Sequence, residues 1–247
     1  MEPEKSGQQQ QSPINEQHVT LSPPLVATHS KWLIFIFYLS TMATVALAWS
    51  YYNLVVLSWL FLFLFPFEMA GLAYVFILSS LFLVKIAVTI LEKKCKPNEG
   101  VFPRDSREMR YYQARSYFKY YAIWLTRNST FPWVDKIAYK LLGVHVGKTV
   151  VLHEAWVDSE FVDVKDYCMI GMNSTVMSHC LYHDVFLTRK TVIDENSIIG
   201  AYSVIAPGTK VGRSCVIGAN SGTNLNGDVE CGYLFGGNPV KKLKKIE

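Results

Sequence analysis

Three of the four histidines in the second half of this chain, His153, His179 and His183, stand close in sequence to the carboxylates Glu154, Asp158 and Asp184. An imidazole titrates near pH 6.5, so it can accept and return a proton at neutrality when a carboxylate holds one of its ring nitrogens. Spacing alone leaves Glu154, Asp158 and Asp184 equally eligible as that carboxylate. The same histidines offer a second chemistry, because His179 and His183 form an HxxxH pair that His153 could extend to three zinc ligands. That pair falls in a loop-like stretch rather than on a helix face, so its spacing fixes no coordination geometry. His183 and Asp184, adjacent in that stretch, are also placed to meet a substrate. The five cysteines are odd in number and contain no CxxC. They fit neither a disulfide framework nor a zinc knuckle, and no metal is expected.

These residues must be held by a chain of 247 residues that is half apolar, 18% charged and carries a net charge of +4, with a mean hydropathy of +0.17. The apolar excess is local: between Trp32 and Leu91 the only formal charges are Glu68 and Lys85. About 20 apolar residues cross a bilayer as a helix, so residues 31–92 are expected to make two or three transmembrane helices. Pro66, Glu68 and Gly71 mark a place where the second span could break. Glu68 and Lys85 read either as an intramembrane pair or as groups at opposite interfaces. Residues 1–30 are polar and Gln/Pro-rich, and read as a disordered tail. Residues 93–142 are basic and rich in Tyr and Trp. Their charge places the following domain on the cytosolic side, and their aromatics suggest a helix lying on the headgroup layer. The same composition suits a single-strand nucleic-acid platform, but directly after membrane spans a bilayer is the expected partner and no nucleic acid is.

From Ile193 onward the period changes. Ile193, Ile199, Ile205, Val211 and Ile217 recur every six residues, and a small side chain follows each by four: Ser197, Ser203, Thr209, Cys215 and Ser221. A period of six belongs to neither a helix nor a simple strand and is the mark of a hexapeptide-repeat β-helix. Val164, Ile170 and Val176 continue the register upstream. Val146 opens a first coil in which Asp158 occupies a nominal aliphatic slot. Val176 and Ile193 are out of phase, so an excursion leaves the prism between His179 and Lys190. Residues 143–247 thus give about four coils and a C-terminal cap, and coil ends of this kind call for neighbours, a homotrimer being one solution.

With the repeat in place, the run from Val146 to Val240 resembles the left-handed parallel β-helix of hexapeptide-repeat acyltransferases. The ending Gly236-Gly237-Asn238-Pro239-Val240-Lys241 is similar to the Gly-Asn-Pro-Ala-Lys turn closing many such domains, with Val240 replacing Ala. Glu99-Gly100-Val101-Phe102-Pro103, the aromatic basic helix, Phe131-Pro132-Trp133 and Leu141-Leu142-Gly143-Val144 resemble the membrane-embedded terminal modules of poly-amino-acid synthetases. The fold class expected is therefore transmembrane α-helices followed by an all-β left-handed β-helix. The resemblance implies His179 as general base, an acyl-CoA such as acetyl-CoA as donor, and a pantetheine path near Ala201, Ser203, Asn238 and Pro239, with Lys241 toward the nucleotide phosphates. It also admits an acyl-carrier or synthetase partner, since no adenylation or carrier domain is seen. Two other readings use the same fold: a non-catalytic membrane scaffold, and a gamma-class carbonic anhydrase. The latter lacks two of its histidines, the corresponding positions being Ala201 and Ala206.

Overall fold

The computed structural model describes residues 30–55, 60–129, 134–152 and 154–246. The polar tail, His153 and the Phe131-Pro132-Trp133 motif lie outside the described residues. Two long helices come first, α1 (Ser30–Val55) and α2 (Leu60–Lys94). By length and composition, two stretches could cross a membrane, Lys31–Ser50 and Phe67–Lys94. Phe37 and Phe76 meet edge to face with centroids 5.6 Å apart, each roughly equally far from the link between the helices. The two helices therefore run antiparallel.

The helix α2 does not break at Pro66, Glu68 or Gly71. Glu68 and Lys85 lie on this one helix, about 25 Å apart along its axis at 1.5 Å per residue, so they cannot pair with each other. The end of α2 is covered by protein: Val84 and Val88 are fully buried in a cluster with Phe118, Ala122 and Ile123.

After β1 (Gly100–Pro103) come α3 (Arg107–Arg127) and α4 (Val134–Leu141). Ser106 caps α3 by accepting the Met109 amide, as an N-terminal serine should. One face of this helix, expected to rest on headgroups, packs on protein. Met109, Tyr112, Arg115, Lys119, Ile123 and Thr126 follow helical spacing and are buried, while Trp124 is exposed. Arg115 and Lys119 face protein because a carboxylate waits for them. The Arg115 guanidinium grips both oxygens of Glu160 at 2.7 and 3.1 Å, and Lys119 Nζ lies 3.1 Å from Oε1. Arg115 Nη1 also donates to the Cys95 carbonyl, just past α2.

The rest is a prism. The first coil holds β2 (His145–Val146), β3 (Val151–Leu152) and β4 (Trp156–Val157). The second holds β5 (Val162–Val164), β6 (Met169–Ile170) and β7 (Thr175–Val176). The hairpin of β8 (His179–Tyr182) and β9 (Val185–Thr188) leaves the prism where the repeat loses phase. The third coil resumes with β10 (Thr191–Ile193), β11 (Ile198–Ile199) and β12 (Val204–Ile205). Then follow β13 (Lys210–Val211), β14 (Val216–Ile217), β15 (Asp228–Val229), β16 (Tyr233–Gly236) and β17 (Lys241–Lys245). Three parallel faces result: β2-β5-β10-β13-β15, β3-β6-β11-β14-β16 and β4-β7-β12, with β17 folding back antiparallel on β16.

The two phases of the repeat have separate physical roles. The aliphatic residues from Ile193 to Ile217 fill the axis and are essentially inaccessible. The small residues are buried too, and hydroxyls tie coil to coil: Ser197 Oγ donates to the Gly212 carbonyl and Ser203 Oγ to that of Gly218. Corners are turned by left-handed residues, among them Asn196, Tyr202, Ser214, Asn220 and Asn226. Asn tolerates this conformation, as does Gly208 at the same phase.

Asp158 does not occupy the aliphatic slot. Val157 pairs with Val176 and fills it, because the first coil is one residue short before β4 and one long after. Asp158 is thereby set one step past the core, at the corner from which the hairpin departs.

The buried Glu160 gives a pH test. Burial pushes its carboxyl pKa up, but the Arg115 hydrogen bond and the Lys119 charge outweigh this and hold it below the ordinary value of 4.5. A lowered folded pKa stabilises fully above the unfolded value and is lost as pH falls through the folded one. Thermal unfolding should therefore show a melting temperature that falls as pH drops below about 4.5. In Glu160→Gln that part of the acid dependence should be reduced, with lower stability at pH 7.

Candidate active site

His179 is the first residue of β8, and its position is set from three sides. From below, Asp158 Oδ2 lies 2.5 Å from Nδ1 and also accepts the Ser178 amide at 2.7 Å and the Ser178 hydroxyl at 3.1 Å. From α3, the Tyr112 hydroxyl lies 2.6 Å from the same Nδ1. From β9, Phe186 lies with its ring centroid 6.2 Å from the imidazole, and Tyr112 and Phe186 are themselves 5.0 Å apart. The strand β1 backs this arrangement by pairing with β9, Phe102 opposite Phe186.

The electrostatics follow from burial. The Asp158 side chain is 2% exposed, whereas that of His179 is 24% exposed. An acceptor is thus buried behind the ring while part of the ring reaches solvent. Nε2 carries no hydrogen bond among the described residues. Burial, with the negative charge of Asp158 second, pushes the Tyr112 hydroxyl well above the ordinary phenol value, so it stays neutral. A histidine fixed at Nδ1 by a carboxylate, with Nε2 unpartnered among the described residues, can act as a base toward a hydroxyl or amine.

Of the three eligible carboxylates the structure brings only Asp158 to His179. Glu154 is exposed at a corner in the left-handed conformation. Asp184 stands at the hairpin tip beside His183, with Oδ2 3.3 Å from Nε2 and both side chains more than 70% exposed. Four residues of extended strand separate this tip from His179, on the order of 13 Å. His183 and Asp184 therefore do not adjoin His179 within one copy. No group of three His, Cys, Asp or Glu side chains that could hold a metal occurs among the described residues.

Ala201, Asn238 and Pro239 fall on one corner of the prism. Asn220 N donates to the Ala201 carbonyl one coil below, and Gly222 N donates to that of Gly237 one coil above. Asn238 and Pro239 are exposed, and Lys241 opens the exposed β17. Ser203 departs from the expectation: it is fully buried with its hydroxyl on Gly218, so its side chain cannot meet a ligand. This corner and His179 border opposite edges of the β4-β7-β12 face and are not adjacent in one copy. Sequence reasoning missed Tyr112. The one signal was its place on the spacing 109, 112, 115/116, 119, where buried polar side chains share one stripe of α3.

Residues 190–224 match the family model described as bacterial transferase hexapeptide (six repeats). Over 82 residues, a third of this chain, it is 34% identical to YvoF of Bacillus subtilis (strain 168), a protein provisionally assigned as an acetyltransferase; 46% of that protein is covered. Over 55 residues, 22% of the chain, it is 44% identical to a chloramphenicol acetyltransferase of Klebsiella aerogenes, a quarter of whose length is covered. The chain thus spans less than half the length of these relatives. A maltose O-acetyltransferase from Clostridium difficile 630 superposes with a TM-score of 0.50 at 17% identity, over 65% of this chain and 97% of that one, a likeness of fold. The resemblance to hexapeptide-repeat transferases holds, and the fold is a hexapeptide-repeat β-helix.

Proposed function

We propose that this protein is a membrane-anchored acyltransferase that moves a small acyl group from an acyl-CoA thioester to a hydroxyl or amine, with His179 as general base. The observation that carries the reading is the His179–Asp158 pair, buried on the carboxylate side and open on the other. The named acetyltransferases among the relatives support the reaction class. In the proposed step Nε2 removes the acceptor proton as its oxygen or nitrogen attacks the thioester carbonyl. The tetrahedral adduct then collapses, the C–S bond breaks, and the proton passes from Nε2 to the leaving thiolate.

The helices α1 and α2 support membrane anchoring through their length and apolar surfaces. A short path joins the end of α2 to the base. Arg115 contacts the Cys95 carbonyl and Glu160, and Glu160 lies two residues from Asp158. This path supports chemistry beside the exit of α2 and an acceptor held at the bilayer, with the β-helix on the cytosolic side.

A homotrimer is part of the same reading. Val151, Met169 and Ile198 form an exposed apolar row along the β3-β6-β11 face, of the sort that a partner surface covers. Because His179 and the Ala201–Asn238 corner lie at opposite edges of the next face, a neighbouring copy would unite one subunit's base with another's donor corner.

Three measurements test this. Calorimetry on the detergent-purified chain should give one coenzyme A bound per subunit at about micromolar affinity; absence of binding would leave the non-catalytic scaffold as the better account. With a transferable thioester and a competent acceptor, His179→Ala and Asp158→Asn should each lower turnover on the order of 10²–10⁴-fold with binding of coenzyme A retained. Retention of most of the rate in His179→Ala would refute the mechanism. Ile198→Glu should convert the trimer to monomer in sedimentation, and transfer should be lost with it.

A further inference from the structure

We propose that Tyr112, a residue of the helical region and not of the β-helix, is a positioning residue that holds His179 in the tautomer protonated on Nδ1. The proposal rests on the acyltransferase reading for its purpose but on local geometry for its content. Two oxygens lie within hydrogen-bond distance of Nδ1, Asp158 Oδ2 at 2.5 Å and Tyr112 Oη at 2.6 Å. The carboxylate can only accept, so the nitrogen facing it must carry the proton. With that proton in place Nδ1 has no lone pair to offer the phenol, and Tyr112 Oη must act as a second acceptor of the same N–H. The alternative, Tyr112 donating to a bare Nδ1, would set that nitrogen's lone pair against Asp158 at 2.5 Å.

Asp158 thus selects the tautomer, Tyr112 Oη accepts the same N–H and adds to its stabilisation, and Nε2 is left bare as the base. Both acceptors also favour the imidazolium that forms when Nε2 takes a proton, since its N–H is a stronger donor than that of neutral imidazole. Tyr112 can fill this role because it is held firmly. It is buried, its ring lies 4.7 Å from the imidazole, and it shares a cluster with Met109 and Phe186. One turn further along α3, Arg115 is fastened to Glu160, which fixes the helix against the corner that carries Asp158. Around His179 stand Asp158 from the first coil, Tyr112 from α3 and Cys180 next to it in β8, while Glu160 and Tyr120 act on Tyr112. Among these, Asp158 and Tyr112 have atoms on the imidazole.

The test is nitrogen NMR of the full chain in detergent, labelled with ¹⁵N-histidine, with His179 assigned by its loss in His179→Ala. In the unsubstituted protein His179 should show the Nδ1–H tautomer at high pH. In Tyr112→Phe the population of that tautomer should fall. Coenzyme A affinity should be unchanged, and kcat should fall while KM stays level. A predominantly Nε2–H tautomer in the unsubstituted protein overturns the proposal, and this arm does not need the Tyr112→Phe protein to fold. So does a folded Tyr112→Phe protein with the tautomer population unchanged. The NMR arms need no acceptor, so loss of the acyltransferase reading with the tautomer intact would be told apart from failure of the proposal.

Discussion

The carboxylate of Glu160 is the point on which the two halves of this protein meet. It is buried, and a buried carboxylate is destabilising unless charge and hydrogen bonds surround it. Arg115 supplies two hydrogen bonds and Lys119 another, while Lys119 also approaches Glu92 at 3.8 Å. Two positive and two negative groups thus close a nearly neutral cluster between the end of α2, the middle of α3 and the first coil. Removing one partner from such a cluster costs about 3–5 kcal/mol, far more than the assembled cluster contributes over an apolar replacement. Its value is therefore geometric: α3 can dock on the first coil in one register. That register sets Tyr112 opposite His179.

The first coil departs from its repeat where this docking occurs. A regular hexad would place an aliphatic residue at 158 and point it at the axis. The one-residue shift gives that slot to Val157 and turns Asp158, Ser159 and Glu160 into a polar corner. Asp158 then accepts from His179 and Ser178, the Ser159 carbonyl accepts from Lys119, and Glu160 takes the two cations. The irregular coil is the one that meets both the helices and His179. The regular coils above it are stacked by their aliphatic axis and hydroxyl rungs, and carry the outer surfaces.

The sequence made the repeat legible because a period of six has a direct physical cause, an inward slot and a corner repeated at each side of the prism. The apolar helices were legible for a similar reason, since 60 residues with two charges have few other uses. The excursion at His179 appeared as a loss of phase, and the structure has its hairpin there. What stayed hidden needed contacts distant in sequence. Nothing local distinguishes Asp158 from Glu154 or Asp184 until the coil is wound and one residue is found missing. Arg115 and Lys119 look like headgroup ligands until Glu160 is placed beside them. The resemblance implies Ser203 on a pantetheine path, whereas its place in the repeat sends its hydroxyl inward to the Gly218 carbonyl.

An isolated β-helix of this sequence would keep Asp158 against His179, because both belong to adjacent coils. It would lose Tyr112, and it would open the corner held by Arg115 and Lys119. The imidazole would then have one acceptor in place of two and an apolar wall made by Phe186 alone. The helices consequently do more than tether a self-sufficient domain: α3 forms one side of the site, and α2 supports α3. In the membrane-anchored reading, the base is held by the same cluster that fixes the prism to the end of α2. The orientation of the prism relative to the helices and the orientation of the imidazole then share a single physical origin.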